Sequence, residues 1–475
     1  MQVGNQFRSY PMSDLAATLR RWIGCQRFIY NAKVSEDRYY RGFARKFASN
    51  VSAPMDQEYS RFIGPDTAWL REVPSQVLRN GTVKWRQAYA RFFKGLAGRP
   101  KIHGKDGKQS VWLTSELFRF EPVVDDNGVV LRQRLILGTA KRPVGELPFV
   151  AHKEFLAPAS IHISVQAERW FVSFNYDDGA PEFSEEEIAA WLQGFAPGDL
   201  LAKARGLDFG VVKPVADNVG GVFDFTPQQK RGIQRREKQI KRTQRTLARR
   251  LKGSKRRLKA KQRLATLHWQ GANVRRDFAH KASRTLVNEP MISLFCCEDL
   301  KIRNMTRSAR GTAAAPGRNV RQKAGLDRAI LASSWGQIRL FLGYKARRAH
   351  KLLVRVPARH TSQECSRCGH ISPDNRPSQD RFVCQACGYA ANADHNAAEN
   401  IRRRGVDLLL SGQWSVKAVK KVGLTKTKVR AERSEPAAEK SDAIARGEDV
   451  RRGCLRAPAQ PSSNRETPIT ISGEI

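Results

Sequence analysis

Two Cys-x-x-Cys pairs, Cys365-x-x-Cys368 and Cys384-x-x-Cys387, stand close together in the last third of the chain, and they constrain its fold more than any other stretch. Four thiolates at this spacing suit one tetrahedral zinc ion, and a shell closed by four sulfurs leaves no open position for a substrate, so the expected role is structural. Phe382 and Tyr389 then read as a small core beside the metal, not as platforms for stacking bases. The remaining cysteines, Cys25, Cys296, Cys297 and Cys454, are scattered. That pattern argues against a disulfide scaffold and for metal binding in a reducing cytosol.

Charge narrows the partner. The 475 residues carry 85 Lys+Arg against 45 Asp+Glu, a formal charge of +40 and a pI near 10.5. A folded chain tolerates that excess best against a polyanion, and nucleic acid is the expected one. An anionic membrane is the competitor, but the mean hydropathy is −0.54 and the sequence has no apolar run long enough for a span. The N-terminus shows no basic stretch followed by an apolar one, so no secretion signal is expected. At roughly 150 residues per domain, the length leaves room for about three domains.

In chain order, residues 1–11 read as a strand and a helix follows, with Ser13 as N-cap and Leu15, Leu19, Trp22, Ile23, Phe28 and Ile29 on its apolar face. A second helical segment carries Trp69, Leu70, Val77, Leu78, Trp85 and Tyr89, with Pro74 dividing it. Residues 117–124, 128–138 and 159–176 alternate as antiparallel strands, with Asp126-Asn127-Gly128 as a hairpin turn. Residues 181–202 read as a linker with one acidic helix. Residues 228–263 are dense in Lys and Arg, with Glu237 the only acid, and suit a phosphate backbone. They run on into an amphipathic helix over 265–287, and a further long helix is expected over 325–350. The segment after residue 405 is rich in Lys, Arg, Glu, Ser, Ala and Pro and is expected to be largely disordered.

Three carboxylates punctuate this plan. Asp208 ends the short run Ala204–Phe209, with a second strand expected at Val219–Phe225. Glu298 ends the apolar run that starts at Met291, in which Cys296 and Cys297 read as core residues. Asp394 stands just before a helix beginning AAENIRRR, where an N-cap role is equally open to it.

With these residues in view, the chain resembles the TnpB family of transposon-encoded RNA-guided nucleases, relatives of the compact type V CRISPR effectors. The similarity rests on WLREVPSQVLRNGTVKWRQAYARFFKG, GLDFG, CEDLKIRNM and the run TSQECSRCG…FVCQACGY…ADHNAAENI, and extends over most of residues 1–404. It implies an α+β multidomain fold. An OB-like wedge β-barrel (1–11 and 111–180) would carry a helical recognition insert (12–110). A RuvC-like, RNase H-type α/β nuclease domain (203–358 and 394–405) would include the basic bridging helix 228–263 and a zinc-ribbon insertion (359–393). The resemblance further implies a magnesium-dependent DNA endonuclease in which Asp208 bridges two Mg2+ ions and Glu298 and Asp394 complete their shells. It would work as a monomer with a guide RNA, on double-stranded target DNA beside a short flanking motif, leaving 5′-phosphate ends. Pro214, soon after Asp208, and the tail 406–475 depart from the family pattern. A guide-dependent repressor without cleavage, a transposase of RNase H-like fold and a basic zinc-ribbon RNA-binding protein remain as other readings.

Overall fold

The computed structural model describes residues 2–47, 55–124, 130–312 and 314–414. The first part of the chain builds a seven-stranded antiparallel sheet with a helical pair laid against it. Strand β1 (Gln2–Ser9) is followed by helix α1 (Ser13–Lys46) and helix α2 (Ser75–Phe93). The sheet then continues as β2 (Gln109–Thr114), β3 (Phe118–Val124), β4 (Val130–Thr139), β5 (Arg142–Val150), β6 (Ser160–Gln166) and β7 (Arg169–Asp177), in the order β2-β6-β7-β1-β5-β4-β3.

Alternation decides which face is inside. Ile161, Ile163, Val172 and Phe174 point to the core from β6 and β7, joined by Phe7, Phe149, Leu113 and Leu135. Helix α1 covers this face with Leu15, Leu19, Trp22, Ile23 and Ile29. Its buried Gln26 acts as a peptide-like clamp. The side-chain amide donates to the carbonyls of Val77 and Trp112, and its oxygen accepts from Trp112 N at 2.9 Å, tying α1 to α2 and to β2. Gly81 lets the two helices meet, since a Cβ there would lie 2.9 Å from the Gln26 carbonyl oxygen.

Several local expectations are corrected. Ser13 is the first helical residue and Met12 is the cap, with no side-chain bond. The stretch 159–176 is a hairpin, not one strand; Ala167 and Glu168 turn it with φ of 49° and 61°. Neither is the Gly or Asn that usually marks such a turn, which is why it was illegible. The Asp126-Asn127-Gly128 turn lies outside the described residues. Pro74 does divide the second helical segment, capping α2 after a 3-10 stretch at Pro65–Glu72.

The second part begins with α3 (Glu185–Gln193) and α4 (Pro197–Ala202). Residues 181–202 are therefore more than a linker: Ile188, Leu192 and Leu200 are buried in one core with Leu352, Val354, Ile401 and Leu409. Next come β8 (Ala204–Asp208), β9 (Val215–Asp217), β10 (Val222–Phe223), α5 (Pro227–Arg249), α6 (Lys255–Val287) and β11 (Leu294–Glu298). Of the strand expected at Val219–Phe225 only the two-residue β10 forms; its start is a turn at Gly220, and the strand that pairs with β8 is the earlier β9. The basic segment 228–263 is also two helices, because the chain leaves helical geometry at Arg250 and turns at Gly253 (φ +87°). In α5 only Thr243 is buried, so its cations face solvent.

The chain goes on through α7 (Ile302–Met305), α8 (Val320–Ser333), α9 (Trp335–Arg348), β12 (Leu352–Val356), β13 (Arg381–Val383), β14 (Ala390–Asn392) and α10 (Ala393–Leu410). The long helix expected over 325–350 breaks at Ser334, which adopts a left-handed conformation (φ 66°). The second sheet has the order β10-β9-β8-β11-β12, with β8, β11 and β12 parallel and β9 and β10 antiparallel. The expected disordered tail begins too early: Val406 and Leu409 are buried in the last turns of α10. Residues 415–475, Cys454 among them, lie outside the described residues.

Candidate active site and metal centre

Parallel pairing places two carboxylates side by side. Cys297 of β11 pairs with Leu207 of β8, so the next residues, Glu298 and Asp208, leave the same edge of the sheet on neighbouring strands. Asp394 arrives from above, in the first turn of α10. Two glycines allow that helix to lie close on the strands. A Cβ on Gly206 would sit 1.9 Å from the Ala398 carbonyl oxygen, and one on Gly405 would sit 2.2 Å from Cys296 Sγ.

The electrostatics record the convergence. Burial, then the charges of Glu298 and Asp394, push the Asp208 carboxyl up to about 7, with Arg376 pulling the other way. Glu298 is also raised, chiefly by burial, while the Thr361 hydroxyl donates to its Oε1 and partly offsets that rise. Two cations approach the group. Lys213 Nζ is 3.5 Å from one Asp394 oxygen, and Arg376 Nη2 is 4.0 Å from the other. The loop carrying Lys213 is held by Trp335, whose Nε1 donates to Gly210 O at 3.0 Å.

Asn392, not Asp394, caps α10: its side-chain oxygen accepts from the backbone N–H of Asp394 at 3.0 Å and of His395 at 3.4 Å. The carboxylate of Asp394 is thereby left free of the capping duty, and its charge reaches Asp208.

The four cysteines form two matching knuckles. In the first, Gly369 N donates to Cys365 O and Cys365 N to His370 O; in the second, Gly388 N donates to Cys384 O and Cys384 N to Tyr389 O. Both turns need the left-handed conformation that Gly369 (φ 78°) and Gly388 (φ 70°) supply. The four sulfurs lie within 4.8 Å of one another, and no other group of three or more Cys, His, Asp or Glu side chains does so among the described residues. This donor set fits a zinc ion. Phe382 is fully buried beside Cys365, Cys384 and Ala393, as a small core should be.

The knuckles and the carboxylates are mechanically joined. Strand β14 pairs with β13 and runs directly into α10, one residue before Asp394. Asn396 accepts from Ser366 N at 2.9 Å and donates to Glu364 O at 2.8 Å, and Asn400 donates to the carbonyls of Thr361 and Glu364. Asn375, fully buried, links the knuckles by donating to His370 O and accepting from Gln385 N. Reading the sequence for acids and cysteines missed Lys213, Thr361, Arg376 and these asparagines. One signal was present: Asn392, Asn396 and Asn400 recur every four residues and so share a helix face.

The IS605 OrfB family model, described as a probable transposase, matches residues 200–309, and a Cas12f1-like TNB domain model matches residues 335–401. These two segments contain Asp208 and Glu298 in one case and all four cysteines with Asp394 in the other. A protein of Escherichia coli (strain K12) named as an RNA-guided DNA endonuclease, InsQ, is 32% identical over 417 residues, covering 86% of this chain and 93% of the relative. A Streptomyces pristinaespiralis protein named in the same way is 27% identical over 405 residues, covering 84% and 89%. A shorter match, 46% identical over 68 residues and covering 14% and 16%, is to a CRISPR-associated endodeoxyribonuclease Cas12f1 of Sulfoacidibacillus thermotolerans. The class these matches define is that of transposase-family proteins carrying a Cas12f1-like domain. The chain belongs to the TnpB/IS605 transposase family.

Proposed function

We propose that the chain is an RNA-guided DNA endonuclease that cuts target DNA beside a short flanking motif, with Asp208, Glu298 and Asp394 as its nuclease centre. The observation that carries this reading is that Asp208 and Glu298 end neighbouring strands and that the charges of Glu298 and Asp394 both raise Asp208, in a member of this family. The order of the second sheet, with an antiparallel arm on one side of β8 and parallel strands on the other, supports a RuvC-like assignment. The first sheet is read as the wedge domain and α1 with α2 as the recognition insert.

The site suits hard cations. Three carboxylates supply oxygen ligands of the kind magnesium takes, and their mutual repulsion at a partly buried position favours a cation between them. Two magnesium ions, when bound, would supply a nucleophilic water and a stabilised leaving oxygen for phosphodiester hydrolysis. The chain's own residues do the rest. Thr361 fixes the orientation of Glu298, Asn392 caps α10 so that Asp394 need not, and Lys213 and Arg376 bring positive charge to where a phosphate would enter. The four cysteines hold a structural zinc that sets the position of β14 and hence of Asp394.

The guide would read sequence by pairing, while the solvent-facing cations of α5 grip the backbone without reading bases. A monomeric ribonucleoprotein in the prokaryotic cytosol is the working form. No described helix is long and apolar enough to cross a membrane.

The test is to purify the protein with its co-expressed RNA and supply matched double-stranded DNA with magnesium. Guide-programmed breaks ending in 5′-phosphate are expected, and Asp208→Ala should bind the same DNA without cutting it. Binding without cleavage by the unaltered protein would make it a repressor. Joined transposon ends in place of breaks would make it a strand-transfer enzyme.

A further inference from the structure

Helix α1 overruns the helix it packs on. Its contact with α2 ends in a cluster of Tyr30, Val34, Trp85 and Tyr89, and α1 continues past it beyond the last apolar cluster it joins among the described residues. Over this overhang Tyr39, Phe43 and Phe47 recur every four residues, so their rings share one face. They are 69%, 39% and 73% exposed. The rings form a ladder: Tyr39 and Phe43 lie 6.5 Å apart at 27° to each other, Phe43 and Phe47 5.1 Å apart at 43°. The end of α2 adds Phe93, 70% exposed and 5.6 Å from Tyr89, which in turn lies beside Asp37 of α1 and Arg99. Large rings grouped on a surface mark a place that is covered in use.

Charge selects the cover. Residues 38–47 and 90–99 contain no Asp or Glu, and Arg38, Lys46, Arg91, Lys94 and Arg99 are exposed among the rings. A second copy docking by the same surface would set these cations against each other. Duplex nucleic acid offers phosphates, but its base faces are already stacked. Unpaired nucleic acid offers both partners at once, base faces for the rings and phosphates for the cations. Of the two nucleic acids the proposed function requires, the guide RNA stays bound throughout the working life of the complex and would keep the rings covered.

We propose that the aromatic overhang of α1, with the end of α2, binds an unpaired stretch of the guide RNA by base stacking. This rests on the RNA-guided reading above. The test uses the full chain and the RNA that co-purifies with it. The triple variant Tyr39→Ser, Phe43→Ser, Phe47→Ser should melt like the unaltered protein when free of RNA, because the rings are exposed. Its affinity for the RNA should fall about ten-fold for each ring that carries a base. Arg38→Gln with Lys46→Gln should instead flatten the salt dependence of binding. Ultraviolet cross-linking of the unaltered complex should attach RNA to the peptide containing residues 38–47.

Equal RNA affinity in the triple variant, with no cross-link at these residues, would overturn the proposal. Two further results would overturn it by naming another occupant. One is a change from dimer to monomer in the triple variant; the other is loss of binding to vesicles of anionic lipid with RNA binding intact. If the unaltered protein carries no discrete RNA, the guide reading itself fails and takes this occupant with it. RNA present but indifferent to the rings defeats the surface alone.

Discussion

The cysteine ribbon and the acidic centre adjoin each other at Asp394, yet they are specified in opposite ways. The ribbon takes all its ligands from one short segment, Cys365 to Cys387, and repeats one turn twice, so local backbone geometry makes the site. The acidic centre takes Asp208, Glu298 and Asp394 from three distant segments, and none of the three has local geometry that marks it. Sheet register, two close-approach glycines and the buried asparagines of α10 make that site instead. One region is a motif and the other is a consequence of the fold. Damage to the first should therefore spread as lost structure, and damage to the second should stay confined to chemistry.

The largest expected effect tests the second half of that contrast. Asp394→Ala should abolish detectable cleavage, since the proposed centre loses one of its three carboxylates. Guide and target binding should be unchanged in a gel-shift assay, because Asn392 still caps α10. Normal cleavage by this variant would remove Asp394 from the centre.

Cys365→Ser sharpens the first half. Loss of one thiolate would open the proposed zinc shell and release the two knuckles, and structural zinc sites contribute directly to folding. Zinc content, read by a chelating dye, should fall, and protease should cut within 359–393. Cleavage should fall as well, as a secondary result of moving β14. A variant that kept its zinc and its protease resistance would break the comparison.

Asn396→Ala probes the joint between the two regions. It strands the Ser366 N–H in a buried place and removes one of the two donors to the Glu364 carbonyl, which Asn400 still serves, at a cost of about 1–3 kcal/mol. Melting temperature should drop by several degrees, with zinc content intact and cleavage reduced less than by Asp394→Ala.

What the sequence made legible follows the same division. The knuckles could be read from spacing because a Cys-x-x-Cys-Gly turn needs nothing from the rest of the chain. Asp208 and Glu298 each looked like any acid at a strand end, and only the resemblance to a family brought them together. Lys213 and Arg376 were beyond reach, since their distance from Asp394 depends on how a loop pinned by Trp335 and a turn within the ribbon settle against α10. Two breaks in helices were missed, one at Gly253 in spite of its glycine and one at Ser334 with neither Pro nor Gly to signal it. Ser334 is the clearest case: an ordinary residue takes a left-handed conformation because α8 and α9 must bend around the core.

The smallest expected effect concerns the acidic centre before any metal binds. Asp208 holds its proton up to about 7 in the folded chain, whereas an unfolded aspartate loses it near pH 4. Between those values the native state binds the extra proton, so the stability it contributes is whole below about pH 4 and is lost as pH rises through about 7. Asp208→Asn cannot ionise and escapes this loss. In metal-free buffer the two proteins should be equally stable near pH 4, and the variant should gain on the unaltered protein by roughly 2 kcal/mol by pH 8, after discounting for partial exposure. Magnesium should close that gap by taking the proton's place. A gap that opens in the opposite direction, or one that magnesium leaves untouched, would mean that the three carboxylates do not share a cation, and the acidic centre would then be a structural cluster like its neighbour.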